Sequence, residues 1–271
     1  MNAPLCIWSQ YYSTIEPEEA ILEFEKDGIH RIELSFEHSS SLLKRDGDVF
    51  EIGRKFAEFM SEHGIEAKQG HLAFPTHFVT EPKTIDDLVK EMRLFSAIGI
   101  ECAVLHCDFM KNVDISYDER RRMNIVRLRE IAERIRDIDI TVCLENLCSH
   151  TMSVEEILEI IEEVGSPKLA ICLDTGHLNI SKASSQYDFI KKAGKHLKAL
   201  HLHDNDGSGD MHMLPFSRGK INFTEIVKAL KEIDYQGEFN FEIPGERVAP
   251  LPVKHAKLEY TKAIYEYLIS L

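Results

Sequence analysis

Residues 169–177 read LAICLDTGH. The first six run mostly apolar, as a strand buried on both faces does, and they end on a carboxylate, Asp174, with an imidazole, His177, three residues further on. Found once, that arrangement is a helix cap, an aspartate side chain accepting from the next turn's backbone N–H. Found at the end of several strands, it is chemistry. The other strands therefore decide what this one means.

Working outward, short apolar runs alternate with amphipathic stretches along the whole chain. Strands are expected at 5–9, 31–35, 65–71, 102–107, 140–146, 169–174, 197–204 and 238–243. Helices are expected at 17–28, 48–63, 84–99, 117–137, 153–165, 186–195, 223–233 and 253–269. Pro17 opens the first helix and Gly64 closes the second; Ser153 with Glu156 forms a capping box, and Thr224 is the expected cap of the seventh. Strict βα alternation implies a parallel sheet with right-handed crossovers. Eight such units in 271 residues are the count of a closed (β/α)8 TIM barrel, a parallel eight-stranded barrel surrounded by helices. An open doubly wound sheet would carry a Gly-rich phosphate loop after the first strand, and CIWSQYYSTIEP (6–17) has none. With no linker or low-complexity run, residues 1–271 read as one domain.

The net charge of −14, from 46 acidic and 32 basic residues, counts against a nucleic-acid partner, which a basic face would favour. No apolar segment approaches the roughly 20 residues a bilayer span needs, and the N-terminus lacks the basic, then apolar, pattern of a signal peptide. Six cysteines without a Cys-x-x-Cys pair fit a reducing cytoplasm and neither a disulfide framework nor a thiolate zinc site. Apolar residues on outer helices are compatible with a homodimer.

In a barrel of this kind the active site lies at the C-terminal ends of the strands. There the third strand ends at His71, the fourth at His106, the fifth at Glu145, the sixth at Asp174, the seventh at His201 and His203, and the eighth at Glu242. Six consecutive strands ending on His, Asp or Glu would cost several kcal/mol per unpartnered buried group. Convergence on one or more divalent metals removes that cost, and His plus carboxylate without Cys suits Zn2+, Mn2+, Co2+ or Fe2+ better than Ca2+. His201 and His203 share a strand parity, so periodicity does not choose between them. Asp210 and His212, in the long loop after the seventh strand, are spaced to fold back over the site. Arg218 and Lys220 lie in the same loop, a region where barrels often bind phosphate. The remaining histidines, among them His38 and His150, are taken as surface residues.

The set CLEN, CLDTGH, HLHD, DMH, GKINF and FEI resembles the xylose isomerase-like TIM barrels, a group that includes sugar epimerases, inosose-processing enzymes, hydroxypyruvate isomerases and endonuclease IV. The likeness covers nearly the whole chain. For the epimerases it implies one metal held by Glu145, Asp174, His201 and Glu242, with His177 on the substrate. For endonuclease IV it implies three zincs held by those five together with His71, His106, Asp210 and His212. The ketose epimerases place a further Glu where this chain has Thr151 and an Arg where it has Gly207, which sets it apart from them.

The resulting expectation is a divalent-metal-dependent isomerase or epimerase of a small sugar, polyol or hydroxy-keto acid. Glu145 and Glu242 would move the proton through a metal-stabilised enediolate, and His177, His71 and His106 would contact the small, carbohydrate-like substrate. An endonuclease IV-like phosphodiesterase is the alternative. A non-catalytic binding barrel is the third reading.

Overall fold

A computed structural model of the chain describes residues 3–108, 110, 113–147 and 153–271. Its eight strands are β1 (Leu5–Trp8), β2 (Arg31–Leu34), β3 (Glu66–His71), β4 (Cys102–Leu105), β5 (Thr141–Glu145), β6 (Leu169–Asp174), β7 (Leu197–His201) and β8 (Phe239–Phe241). All pair in parallel, in the order β7-β6-β5-β4-β3-β2-β1-β8. The ring closes through Leu202, whose N–H donates to the Asn240 carbonyl at 2.9 Å and whose carbonyl accepts from the Glu242 N–H at 3.2 Å. This is the (β/α)8 barrel expected from the alternation, and every residue of β6 is buried, as its apolar run requires.

Ten α-helices are present among the described residues rather than eight: α1 (Pro17–Lys26), α2 (Phe36–Leu43), α3 (Val49–Glu62), α4 (Thr84–Ile98), α5 (Tyr117–Arg134), α6 (Val154–Val164), α7 (Thr175–Ser181), α8 (Gln186–Ala193), α9 (Phe223–Glu232) and α10 (Leu251–Ser270). The two additions hide in sequences with weak intrinsic preference. α2 (FEHSSSLL) carries three serines, and α7 (TGHLNIS) carries a glycine. Burial fixes α2 instead: His38, Ser39 and Leu42 are its inward face. His38 is thus buried, not a surface residue, and its ring nitrogens meet Ser9 Oγ at 2.9 Å and the Ile15 carbonyl at 3.3 Å. The Ser153–Glu156 capping box forms as read. The cap of α9 is Asn222, not Thr224, its Oδ1 accepting from the Glu225 N–H. His150 and Thr151 lie outside the described residues.

Two apolar clusters hold the barrel. The larger lies between strands and helices and includes Leu105, Leu144, Ile171, Leu173 and Leu200, the outward side chains of β4 to β7. The smaller fills part of the lumen with Val104, Cys143, Ala170, Cys172 and Ala199. No helix among the described residues is long and apolar enough to cross a membrane.

Candidate metal and substrate site

Side chains alternate across a strand, so the residues two positions above the lumen cluster emerge at the C-terminal rim. Glu145 follows Cys143, Asp174 follows Cys172, His201 follows Ala199, and His106 follows Val104. Glu242 stands just beyond β8. All are buried. Asn146, next to Glu145, locks two of these strand ends together: its amide donates to the Asp174 carbonyl at 2.9 Å and its Oδ1 accepts from the Asp174 N–H at 2.8 Å.

The expected residues meet. His106 Nε2 lies 2.8 Å from Glu145 Oε2, His71 Nε2 3.6 Å and His201 Nδ1 3.2 Å from the same oxygen. His201 Nδ1 is also 3.6 Å from Glu242 Oε2. His177 Nδ1 is 3.0 Å from Glu145 Oε1, and its Nε2 is 3.4 Å from Asp210. The loop after β7 does fold back: Asp204 and Met213 pair as antiparallel backbone, and His212 lies 3.2 Å from Asp210 and donates through Nδ1 to the Glu242 carbonyl at 2.8 Å. Ligand-competent atoms of Asp174, His201 and Glu242 lie within 4.8 Å of one another, as do those of Glu145, Asp174 and His177, of His71, Glu145 and His201, and of His203, Asp210 and His212.

Three details refine the sequence reading. Asp174 is both strand end and helix cap, its Oδ1 accepting from the His177 N–H at 2.6 Å, and His177 stands on the first turn of α7 rather than on a free turn. His201 and His203 both face the lumen but differ in aim. His203 Nε2 contacts both oxygens of Asp174 at 3.0 and 3.1 Å, while His201 Nδ1 points at Glu145 and Glu242. Gly207, where a substrate arginine would stand in a ketose epimerase, has φ +86° and sits in a turn closed on Asn205.

The electrostatics are those of a charged ring taken out of water. Burial pushes Glu145 up, but the facing His106 and His201 outweigh it and hold the carboxyl well below its usual range. Glu242 goes the other way, raised by burial and by the neighbouring Asp174 and Glu145. Asp174 falls to about 2 despite burial, because His177 and His203 face it. His212 rises to about 10 against burial, beside Glu242 and Asp210.

The residues fit a divalent cation on one observation above others. His201 Nδ1 is buried without a hydrogen-bond partner, yet it faces two carboxylates. The carboxylates of Glu145, Asp174 and Glu242 converge on the same buried space as that nitrogen, and a cation among the four would balance their charge and take the nitrogen as a ligand.

Above the ring is a cavity of about 450 Å³ lined by Glu145, His71, His106, His177, Asp210, His212 and Glu242, together with Trp8, Gln10, Phe36, Glu37, Phe74 and Leu147. The second group was not singled out from sequence. Trp8 ends β1 and could have been found by the same strand-end rule had it admitted aromatics; Phe36 and Glu37 belong to the unforeseen α2. Among the described residues no Lys or Arg lines this cavity. Lys220 lines a different one, against α7 and α8, and Arg218 is exposed.

Comparison with known proteins follows the geometry. The family model described as xylose isomerase-like TIM barrel matches residues 23–266. A D-psicose 3-epimerase of Enterocloster bolteae is 33% identical over 134 residues, 48% of this chain and 42% of that protein. A probable endonuclease 4 of Metamycoplasma arthritidis is 32% identical over 134 residues, 45% of this chain and 47% of that protein. The matched stretch thus spans about half the length of these relatives. A crystal structure of D-psicose 3-epimerase in the presence of D-fructose superposes with a TM-score of 0.81 at 17% identity, covering 98% of this chain and 99% of that one.

Proposed function

The chain belongs to the xylose isomerase-like TIM barrels, and from that premise we propose that it is a divalent-metal-dependent isomerase or epimerase of a small, uncharged sugar or polyol. The observation that carries this is the orphaned His201 Nδ1 set among Glu145, Asp174 and Glu242 at the floor of a sugar-sized cavity. A bound divalent ion supplies Lewis-acid polarisation of neighbouring substrate oxygens.

The protein's own groups do the rest. Glu145 and Glu242 come from β5 and from just beyond β8, with His201 near both. One carboxylate takes the proton from carbon and the other returns it, the general acid–base pair of an enediolate exchange. His177 is fixed between Glu145 and Asp210 and offers a ring nitrogen to a substrate hydroxyl, with His71 and His106 on the other side of Glu145. Trp8 and Phe74 give the cavity apolar walls against which a sugar's C–H face packs.

The lining narrows the substrate class. Among the described residues Glu37, Glu145, Asp210 and Glu242 line the cavity with the cationic His212 and without Lys or Arg, so a phosphate or carboxylate on the substrate meets more like charge than counter-charge. This supports the uncharged sugars and polyols over the hydroxy-keto acids and over phosphorylated sugars.

The test is metal content together with proton exchange. About one Zn, Mn or Co per chain, and chelator-sensitive loss of the C–H signal next to the carbonyl when unphosphorylated ketoses or inososes are held in D2O, is the expected result. Glu242→Gln should abolish the exchange. A second reading, an endonuclease IV-like phosphodiesterase, draws on one specific observation: His71 and His106 meet on Glu145 while His177 and His212 meet on Asp210. Two or three zincs per chain with chelator-sensitive nicking of abasic DNA would overturn the isomerase reading in its favour.

A further inference from the structure

Beneath the ring lies a buried polar layer that the chemistry above does not use. Glu33 on β2, Gln69 on β3 and Asn240 on β8 have no solvent exposure. Glu33 Oε1 accepts from Gln69 Nε2 at 3.0 Å and faces His201 Nε2 at 2.9 Å; its Oε2 accepts from Asn240 Nδ2 at 2.6 Å. Gln69 is tied across the lumen in turn, donating to the Leu200 carbonyl at 3.2 Å. An ion placed in the interior persists only when its lone pairs are met, and here three donors from three strands converge on one carboxylate.

An ionised carboxylate only accepts. His201 Nε2 must therefore carry a hydrogen, and in a neutral imidazole the lone pair then resides on Nδ1. Nδ1 is the atom left without a partner and turned toward Glu145 and Glu242. We propose that Glu33 is a positioning residue: held by Gln69 and Asn240, it fixes the proton of His201 on Nε2 and so presents Nδ1 to a cation in the ring. The inference rests on the metal reading given above and adds to it a residue outside the ring. A merely structural role, in which Glu33 fills the lumen, makes no demand on which His201 nitrogen binds metal.

The experiment compares wild type, Glu33→Leu and Glu33→Gln. Zn2+ alone is titrated against a competing chelator, and 15N spectra of histidine-labelled, Zn2+-loaded protein show which ring nitrogen of His201 holds the ion. Wild type should bind through Nδ1 with hydrogen on Nε2. Glu33→Leu should lose about 10- to 100-fold in affinity, the range for removal of a carboxylate behind a ligating histidine, and lose the fixed Nδ1 pattern. Glu33→Gln retains an acceptor once the Asn240 amide turns its unpartnered Oδ1 toward it, so it should keep the Nδ1 pattern and lose about tenfold or less. Unchanged affinity and unchanged Nδ1 binding in Glu33→Leu overturn the role of Glu33 and leave the metal reading standing. No Zn2+ binding by wild type overturns both. If Glu33→Leu does not fold, the wild-type spectra decide: Zn2+ held through His201 Nε2 rather than Nδ1 overturns the proposal.

Discussion

Gly176 is the position where adding one methyl group should do most damage near the ring. It lies in the first turn of α7 and its φ is not in the left-handed region, so on backbone grounds alanine is acceptable there and helix propensity favours it by up to about 1 kcal/mol. The obstacle is His203. A Cβ at residue 176 would fall 2.0 Å from His203 Cε1 and 2.6 Å from its Nδ1. The ring has little room to yield. Its Nε2 is held on Asp174 at 3.0 Å, its face stacks on His212 with centroids 4.0 Å apart, and its backbone is tied on both sides to Thr175 Oγ1. Overpacking of this kind costs about 1–3 kcal/mol, and pulling the imidazole off an ionised Asp174 forfeits a hydrogen bond to a charged group worth about 1.5–3 kcal/mol. Less the propensity gain, Gly176→Ala should destabilise by about 1.5–5 kcal/mol. Urea unfolding in excess chelator, which keeps ligand linkage out of the measurement, should show a lower midpoint at unchanged m. The pair Gly176→Ala/His203→Ala should be markedly less destabilised than the two single changes together imply, because the new methyl enters the space the ring vacates. A Gly176→Ala protein as stable as wild type, or strict additivity in the cycle, would refute the reasoning.

Three further outcomes are expected. Zn2+ or Mn2+ at about 100 times its Kd should stabilise the fold by about 2.7 kcal/mol, visible as a rise in Tm that a chelator reverses; Asp174→Asn should lose most of that rise, as followed by scanning calorimetry. At the opposite end of the barrel, burial pushes Glu238 up to about 7, partly opposed by Arg31 at 3.8 Å. It is then protonated in the folded state and ionised in the unfolded state between about pH 4.5 and 7, so folding takes up a proton in that window. Stability should fall by about 1–3 kcal/mol as pH rises through it, and Glu238→Gln should flatten the dependence measured by denaturant midpoints. Finally, replacing both Arg218 and Lys220 by Ala should leave kcat/KM for an unphosphorylated ketose unchanged, since neither lines the ring cavity; a large loss would place the substrate elsewhere.

The barrel was legible because a strand buried on both faces announces itself as an apolar run, clearest in β4 to β6, and eight short strand-like segments alternating with amphipathic helices leave few topologies open. The ring was legible for a related reason: His106, Glu145, Asp174 and His201 are polar residues at the ends of apolar runs, where burial without a partner is costly. What escaped is governed by contacts rather than by local pattern. α2 and α7 are helical because of what they pack against. His38 lies on a serine-rich segment that reads as surface until Ser9 and Ile15 are brought to it. Trp8 stands at a strand end but is an aromatic among apolar neighbours, and Phe74 reaches the cavity from a loop, where nothing in its spacing distinguishes it from a core aromatic. Glu33 left a trace that went unused, since RIELS places a carboxylate within an apolar run, but its partners are 36, 168 and 207 residues away, and no window along the chain connects them.

The lumen shows why the ring and the layer beneath it belong together. TIM barrels usually fill this space with layers of Val, Ile and Leu. Here β4 to β7 contribute Val104, Cys143, Ala170, Cys172 and Ala199, mostly small, and β2, β3 and β8 contribute Glu33, Gln69 and Asn240. Interiors pack to nearly constant density, so long polar side chains that cross the axis to reach His201 require short ones opposite. The Cys102 thiol beside it, together with burial, pushes Cys143 well up, and burial pushes Cys172 up, so both stay neutral and behave as small apolar groups rather than as thiolates close to His201. Enlarging Ala199 or Cys172 would press on the base of His201 and move its Nδ1, and shrinking Glu33 would leave its Nε2 without an acceptor. The position of the proposed ligand at the rim would thereby be set by the volume and hydrogen bonding of residues one layer down, which makes the small residues of β4 to β7 a requirement of that site as much as of the fold.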